Sequence, residues 1–223
     1  MRVLIYGASG MVGQGVLREC MKAKDVETVT VIVRSPLLPD QHPGLEQVVT
    51  DDLISPLADV SAAGNWDACF FCLGVSASGL SEEEYSRLTF KLTLDIASHL
   101  VRLNPAMTFI YVSGAGTDSS EAGRSMWARV KGKTENTLLR LGFASALMFR
   151  PAIIRPLDGI RSKTAAYRIF YNILSPFFSL LKYLFPDSIL TTEEMGKAML
   201  NAVRFGCGKS VLEKEDISQL ARK

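Results

Sequence analysis

The chain has little excess charge and few metal-binding side chains. Its 25 basic and 23 acidic residues leave a formal net charge of +2, without the basic field typical of nucleic-acid-binding proteins. Its two histidines, His42 and His99, lie far apart in the sequence and lack ligand-like neighbours, so no metal site is predicted. The 48% hydrophobic and 22% charged residues are typical of a folded globular protein, and 223 residues fit a single domain.

Long apolar runs are also scarce. The first, residues 3–6, is too short for the core of a secretion signal, so we expect a cytoplasmic protein. Residues 169–185 are strongly apolar but contain Asn172, Pro176 and Lys182, and they fall short of the ~20 residues that a spanning helix needs. One or two core helices broken at Pro176 are predicted, with an apolar lid or a surface that docks on a partner or a membrane as the alternative.

The four cysteines do not indicate a disulfide framework. Without a secretion signal, reduced thiols are expected. Cys69 and Cys72 have the spacing of a redox or metal motif, but they lie in an apolar run typical of a buried strand. Because strand positions three apart point to opposite faces, these two thiols are not expected to meet. A redox or metal function is therefore not predicted for this pair.

Short apolar runs alternate with helical patterns along the chain. This alternation predicts an α/β fold, in which a doubly wound parallel sheet carries helices on both faces. After Pro151 the pattern loosens into a small, mainly helical C-terminal portion, and residues 157–223 are expected to form a substrate lid on a single domain of residues 1–223. The predicted strands are 2–6, 28–33, 46–50, 67–73, 107–112 and 145–149; the predicted helices are 11–24, 81–103, 124–141 and one that begins at 191.

A glycine-rich loop lies between the first predicted strand and the first predicted helix. Glycines at such a loop permit a tight turn, a close approach of the backbone to a pyrophosphate and close packing of helix on strand. The start of the helix then offers free N–H groups to the phosphates. The loop predicts a Rossmann-like dinucleotide site formed by Gly7, Ala8, Ser9, Gly10, Met11, Val12 and Gly13.

Arg34 stands at the end of the second predicted strand, where many NAD-binding folds have an acidic residue that binds the ribose 2′-hydroxyl. A guanidinium can bind a 2′-phosphate through two hydrogen bonds, whereas a carboxylate would repel it. The nearest following acidic residue is Asp40. NADP(H) is therefore the predicted cofactor, ahead of NAD(H).

Further motifs follow the later strands. They are Asp52-Leu53, Cys72-Leu73-Gly74, Val112-Ser113-Gly114, Trp127-Ala128-Arg129-Val130-Lys131-Gly132 and Arg150-Pro151. Together with the glycine loop, they resemble the short-chain dehydrogenase/reductase superfamily, close to its Tat-interacting-protein-like and nucleoside-diphosphate-sugar-epimerase-like branch. The resemblance covers residues 2 to about 156. It implies that Asp52 and Leu53 lie against the adenine, that Leu73 and Gly74 pass the inner ribose, and that Arg150 and Pro151 belong to the cofactor site.

The same resemblance implies a catalytic set of Ser113, Trp127 and Lys131, with one departure. Where the superfamily has a catalytic tyrosine, this chain has Trp127. The tyrosine supplies a proton during carbonyl reduction, whereas an indole N–H donates a hydrogen bond but does not give up its proton near neutral pH. Lys131 keeps a role in binding the nicotinamide ribose, and Ser113 is expected to polarise a carbonyl.

Other residues could supply the missing proton. Tyr111 precedes Ser113 by two positions on the same strand face, but deeper in the strand. Tyr167 and Tyr171 lie in the C-terminal portion, where no pattern in the sequence fixes their position.

Two functions remain open at this stage. The first is reduction of a small apolar carbonyl or quinone-like substrate by an NADP-dependent oxidoreductase. The second is a catalytically weak NADP(H)-binding regulator that acts through a protein partner. A sugar-nucleotide epimerase fits poorly, because the portion after residue 156 is short and epimerisation also uses the tyrosine. The superfamily resemblance also implies a homodimer, paired through the helices of residues 81–103 and 124–141.

Overall fold

The computed structural model describes residues 1–37, 43–54, 66–157 and 189–223. The strands in these ranges are β1 (Arg2–Tyr6), β2 (Thr28–Val33), β3 (Leu45–Val49), β4 (Ala68–Phe71), β5 (Thr108–Val112), β6 (Ser145–Arg150), β7 (Ile153–Arg155), β8 (Ile189–Thr191) and β9 (Val211–Glu213). The helices are α1 (Met11–Lys22), α2 (Glu82–Ser86), α3 (Leu92–Leu103), α4 (Met126–Leu139), α5 (Thr192–Phe205) and α6 (Lys214–Ala221).

The main sheet has seven parallel strands in the order β3-β2-β1-β4-β5-β6-β9. The chain moves outward from β1 to β2 and β3, then returns to the other side of β1 with β4. This reversal makes β1 and β4 the switch point of a doubly wound sheet, and a ligand crevice is expected outside the carboxyl ends of these two strands. The predicted α/β fold class is confirmed.

Side chains alternate between two cores because successive strand residues point to opposite faces. On one face, residues such as Val3 and Ile5 of β1 pack with α1, α5 and α6. On the other face, Leu4 and Tyr6 pack with α3 and the end of α4. The aromatic rings of Tyr6 and Phe71 stack at a centroid distance of 5.5 Å across the switch point. The sheet therefore carries helices on both faces.

Three short features were not predicted from the sequence. A π-helical turn over Arg87–Lys91 joins α2 to α3, so that the predicted helix of residues 81–103 is interrupted. The three-residue strands β7 and β8 pair with each other outside the main sheet. The equally short β9 pairs with β6 and places part of the C-terminal portion in the main sheet.

The described part of the C-terminal portion contains β8, α5, β9 and α6. Within residues 189–223, α5 and α6 pack against the sheet core. The apolar segment 169–185, with Tyr167 and Tyr171, lies outside the described residues, so the predicted lid stays a prediction. No helix in the described ranges is long and apolar enough to cross a membrane. All four cysteines are free, and Cys69 is completely buried in β4.

Helix α1 lies unusually close to its neighbours because glycines face them. A Cβ atom at Gly13 would lie 2.1 Å from the carbonyl oxygen of Gly7, which is far inside van der Waals contact. A Cβ atom at Gly15 would lie 2.5 Å from the side chain of Thr192 at the start of α5. Close packing on these two sides fixes the start of α1 at the end of β1.

We expect Gly13→Ala to destabilise the protein by more than about 2 kcal/mol, because the clash is with backbone atoms that cannot move aside. In an unobstructed helix the same change would stabilise by about 1 kcal/mol. Urea unfolding followed by circular dichroism measures the effect. The control is Gly208→Ala, where a Cβ atom would meet nothing within 4 Å. Equal stability of the two variants would contradict the packing described here.

Candidate functional site

The glycine loop lies against the segment that follows β4. Gly7 has a φ of +78°, which favours glycine, and a Cβ atom there would lie 2.6 Å from the backbone nitrogen of Leu73. The N–H group of Gly10 donates a 2.9 Å hydrogen bond to the carbonyl oxygen of Gly7 and closes the turn. The loop and the Leu73 segment are therefore in direct contact at the switch point, where the doubly wound topology predicts a ligand crevice.

The first turn of α1 is suited to an anion. Gly10 caps the helix without a side-chain hydrogen bond, and no acidic residue lies in the first turn. Helices α2 and α5 begin differently, with capping boxes and two or three glutamates in the first turn. Because the first N–H groups of a helix lack intrahelical partners, the start of α1 offers donors and a positive dipole end to phosphate.

The structure brings the predicted adenine-side residues to the same edge of the sheet. Arg34 is exposed directly after β2, and Asp52 is exposed in the segment after β3. The Asp52 carboxylate accepts a 2.9 Å hydrogen bond from the N–H group of Ile54. The Tyr6 hydroxyl donates a 2.9 Å hydrogen bond to the carbonyl oxygen of Leu53, which ties this segment to β1. Gly74 follows Leu73 and is exposed, and a Cβ atom there would meet nothing within 4 Å.

The predicted chemical residues meet at the carboxyl end of β5. Lys131 reaches from α4 and donates a 2.6 Å hydrogen bond from Nζ to the carbonyl oxygen of Ser113. The Ser113 side chain is 9% exposed and turns into the protein. Its Oγ lies 2.5 Å from Oε1 of Glu135 and 3.2 Å from the carbonyl oxygen of Phe149. Ser113 and Lys131, which the sequence predicted to act together, are thus in contact. The contact is made by the backbone carbonyl of Ser113 and not by its hydroxyl.

A buried ion pair underlies this contact. Arg150 donates from Nε to both carboxylate oxygens of Glu135, at 3.0 and 3.2 Å, and also from Nη2. It further donates to Glu213 in β9 at 3.1 Å and to Ser119 at 2.6 Å. The hydrogen bonds to Glu135 raise the pKa of Arg150 above its ordinary value. The Arg150 side chain thus supports the site by holding the Glu135 carboxylate that contacts Ser113. The predicted contact between Arg150 and a cofactor stays a prediction.

Sequence reasoning missed Glu135 and Glu213. Glu135 follows Lys131 by four residues in α4, which places both side chains on one helix face, and this spacing was the available signal. Glu213 had no comparable signal, because it reaches Arg150 only through the pairing of β9 with β6.

Pro151 is buried, and its carbonyl oxygen accepts a 2.8 Å hydrogen bond from the N–H group of Ala115.

The loop after β5 packs directly on α4. A Cβ atom at Gly132 would lie 1.7 Å from the carbonyl oxygen of Asp118, so only glycine fits after Lys131. The Asp118 carboxylate holds the loop by accepting hydrogen bonds from the N–H group of Gly123 at 2.7 Å and the Ser120 hydroxyl at 2.6 Å.

Trp127 lies one helical turn before Lys131 and is partly buried. Its indole ring packs beside Gly116, where a Cβ atom would lie 3.4 Å from the ring. Of the alternative proton donors expected from the sequence, Tyr111 lies in the described chain, and it is 1% exposed. Burial raises the pKa of its hydroxyl above the ordinary value, so this phenol is neither accessible nor acidic. The tyrosine chemistry lost at position 127 is not replaced by Tyr111.

The pKa of the Lys131 ammonium is lowered in the folded chain. Burial lowers the pKa of Lys131 to about 8, although the carboxylate of Glu135 acts in the opposite direction. Nζ also lies 5.7 Å from the centroid of the Tyr111 ring.

Two curated relatives resemble the chain along most of its length. It is 23% identical over 212 residues to the mitochondrial protein FMP52 of Meyerozyma guilliermondii, covering 90% of this chain and 84% of the relative. It is 26% identical over 207 residues to the mitochondrial protein fmp52 of Emericella nidulans, covering 90% and 86%. No protein-family profile matches the chain.

These relatives correct the expected location. Both are mitochondrial proteins, so the prediction of a cytoplasmic protein is wrong. That prediction relied on seeing no secretion signal, from which reduced thiols were also expected. Neither feature distinguishes the cytosol from other reducing compartments.

Solved structures share the fold at low sequence identity. A short chain dehydrogenase/reductase of Saccharomyces cerevisiae has a TM-score of 0.70 at 15% identity, with 99% of this chain and 98% of that chain covered. The enzyme WbmG of Bordetella bronchiseptica, in complex with NAD, has a TM-score of 0.68 at 12% identity, with 100% and 76% covered. UDP-glucose 4-epimerase of Thermotoga maritima has a TM-score of 0.68 at 12% identity, with 100% and 82% covered.

Lys131 gives a prediction for stability against pH. Its pKa is lower in the folded chain than the ordinary 10.5, so between about pH 8 and 10.5 the unfolded chain binds more protons. This group therefore makes the free energy of unfolding rise with pH across that window, by up to about 3 kcal/mol. Urea unfolding at about pH 7 and pH 10 should show this rise in the parent chain relative to Lys131→Met.

The matched control is Lys133→Met, at an exposed lysine two residues further along α4. The difference in free energy of unfolding between the parent chain and Lys133→Met should not change with pH, because both proteins keep Lys131. A difference between the parent chain and Lys131→Met that stays constant with pH would show that the ammonium is not desolvated.

Proposed function

We propose that this chain, which has the fold of short-chain dehydrogenases/reductases and nucleotide-sugar epimerases, binds NADP(H) in the crevice between β1 and β4. One observation carries the proposal: the glycine loop presents the uncapped, carboxylate-free start of α1 at the switch point of the sheet. The NAD complex of WbmG, a protein of the same fold, supports a dinucleotide as the ligand.

The residues present fit a dinucleotide. Gly7, Gly10 and Gly13 let the loop, α1 and the segment after β4 pack closely, and the first-turn N–H groups of α1 would bind the pyrophosphate. Asp52 and Leu53 would line the adenine, while Leu73, Gly74 and Lys131 would hold the inner ribose and the nicotinamide ribose. A bound NADPH would supply a hydride at this edge.

Arg34 supports the choice of NADP(H) over NAD(H). It is exposed at the carboxyl end of β2, the strand adjacent to β1 on the adenine side of the crevice. A 2′-phosphate bound there would receive two charge-assisted hydrogen bonds from the guanidinium.

Arg34→Asp should weaken NADPH binding by on the order of 100-fold, because charge-assisted hydrogen bonds are lost and a repulsive charge is added. Binding of NADH should change by less than about threefold, since NADH has no 2′-phosphate. Calorimetric titration of cofactor-stripped protein with each nucleotide measures both effects.

The control is Lys24→Asp, which makes the same charge change at an exposed lysine after α1, at the amino-terminal edge of the sheet. It should leave both affinities unchanged. If neither nucleotide binds to the parent chain, the glycine loop does not hold a dinucleotide and the proposal fails.

We propose that binding is kept while carbonyl reduction is weak, so that the protein acts as an NADP(H)-dependent regulator of a partner. The position of Trp127 and the burial of Tyr111 support this function, because neither side chain can give a proton to a substrate. A second candidate is slow reduction of a small apolar carbonyl or quinone-like substrate. The Lys131 ammonium favours this second candidate, because a group with a pKa of about 8 can act as a proton donor near neutral pH.

Trp127→Tyr should raise the rate of NADPH oxidation with a panel of aldehydes, ketones and quinones by about 10²–10⁴-fold, because it restores a general acid one helical turn from Lys131. Trp127→Phe is the control, since it changes the ring without adding a hydroxyl. A parent chain that reduces a carbonyl as fast as Trp127→Tyr would support the reductase over the regulator.

A further inference from the structure

The Ser113 hydroxyl has a single proton and two neighbours that only accept. One is the carbonyl oxygen of Phe149 at 3.2 Å, and the other is Oε1 of Glu135 at 2.5 Å. The shorter distance and the negative charge both favour donation to Glu135. A hydroxyl that donates inward has no proton left for a ligand outside.

Glu135 is arranged to remain an acceptor. Its side chain is 1% exposed, and Arg150 donates to both of its oxygens, which is the pairing of an ionised carboxylate. Arg150 is in turn oriented by Glu213 and Ser119, from two other parts of the chain. Rotation of the carboxylate away from Ser113 would break a buried charge pair, which is strongly destabilising.

By holding the Ser113 hydroxyl, Glu135 also determines which hydrogen-bond donors remain available to a ligand. The Ser113 hydroxyl is held by Glu135. The Ser113 N–H group donates a 2.9 Å hydrogen bond to the carbonyl oxygen of Phe149. The Ser113 carbonyl oxygen then receives the Lys131 ammonium at 2.6 Å. This is the single hydrogen bond recorded for Nζ within the described ranges.

We propose that Glu135 is a positioning residue that holds the Ser113 hydroxyl proton inside the protein, so that Lys131, and not Ser113, is the donor presented to a ligand. Ser113 then does not polarise a substrate carbonyl, contrary to the role expected from the sequence. This arrangement involves only the chain's own residues and needs no bound cofactor.

The test is to observe the Ser113 hydroxyl proton directly by nuclear magnetic resonance. Serine hydroxyl protons normally exchange too fast with water to be observed, but a buried, short hydrogen bond to a carboxylate protects the proton and shifts its resonance downfield. In uniformly ¹⁵N-labelled protein, a ¹⁵N-filtered proton spectrum removes the signals of protons bound to nitrogen, so that a downfield signal that remains belongs to a hydroxyl proton. We expect a slowly exchanging downfield resonance that is absent from Ser113→Ala and from Glu135→Gln.

The matched control is Ser120→Ala. The Ser120 hydroxyl also donates to a carboxylate, that of Asp118 at 2.6 Å, but Ser120 is exposed and its proton exchanges with water. The resonance should persist in this variant. Amide spectra report whether each variant is folded, and if Glu135→Gln does not fold, Ser113→Ala alone assigns the signal.

Addition of NADPH extends the test. The resonance should persist at saturation, because the hydroxyl remains directed at Glu135. A folded parent chain without this resonance, or a resonance that disappears when NADPH binds, would overturn the inference. Failure of NADPH to bind in calorimetry would instead overturn the proposed function, while the spectrum of the cofactor-free protein still decides the role of Glu135.

Discussion

The ion pair between Glu135 and Arg150 is the interaction on which the chemical half of the site depends. Two charges taken out of water are tolerated only when each is fully hydrogen-bonded. Here that requirement recruits the Ser113 hydroxyl, Glu213 and Ser119, so that α4, β6, β9 and the loop after β5 meet at one point. The position of Lys131 follows from this network, since its partner is the Ser113 backbone.

The cofactor half of the site is built by the opposite means. Around α1 the backbone segments approach closely because side chains are missing at Gly7 and Gly13. The phosphate-binding loop and the ion-pair network therefore depend on different interactions. A substitution such as tryptophan for tyrosine at position 127 changes the chemistry at one half and leaves the phosphate-binding geometry of the other unchanged.

The sequence predicted features that rest on local patterns. Strands β1 and β2 and the starts of α1 and α5 follow from apolar periodicity, glycine spacing and capping residues. Three-residue strands such as β9 carry no usable period, and their pairing depends on distant residues. The direction of the Ser113 hydroxyl was equally inaccessible, because its acceptor lies 22 positions away and becomes its neighbour only in the folded chain. The motif around Ser113 was visible, but its orientation was not.

The pairing of β9 with β6 also has a consequence for biosynthesis. Arg150 and Glu213 are 63 residues apart in the chain. While the protein emerges from the ribosome, β6 is therefore complete long before its outer neighbour, and during this interval it is an open sheet edge with unpaired backbone groups. Over the same interval Arg150 lacks one of its two acidic partners. The pairing of β9 with β6 thus closes this edge of the sheet, and before that closure the nascent chain has an edge prone to edge-to-edge association.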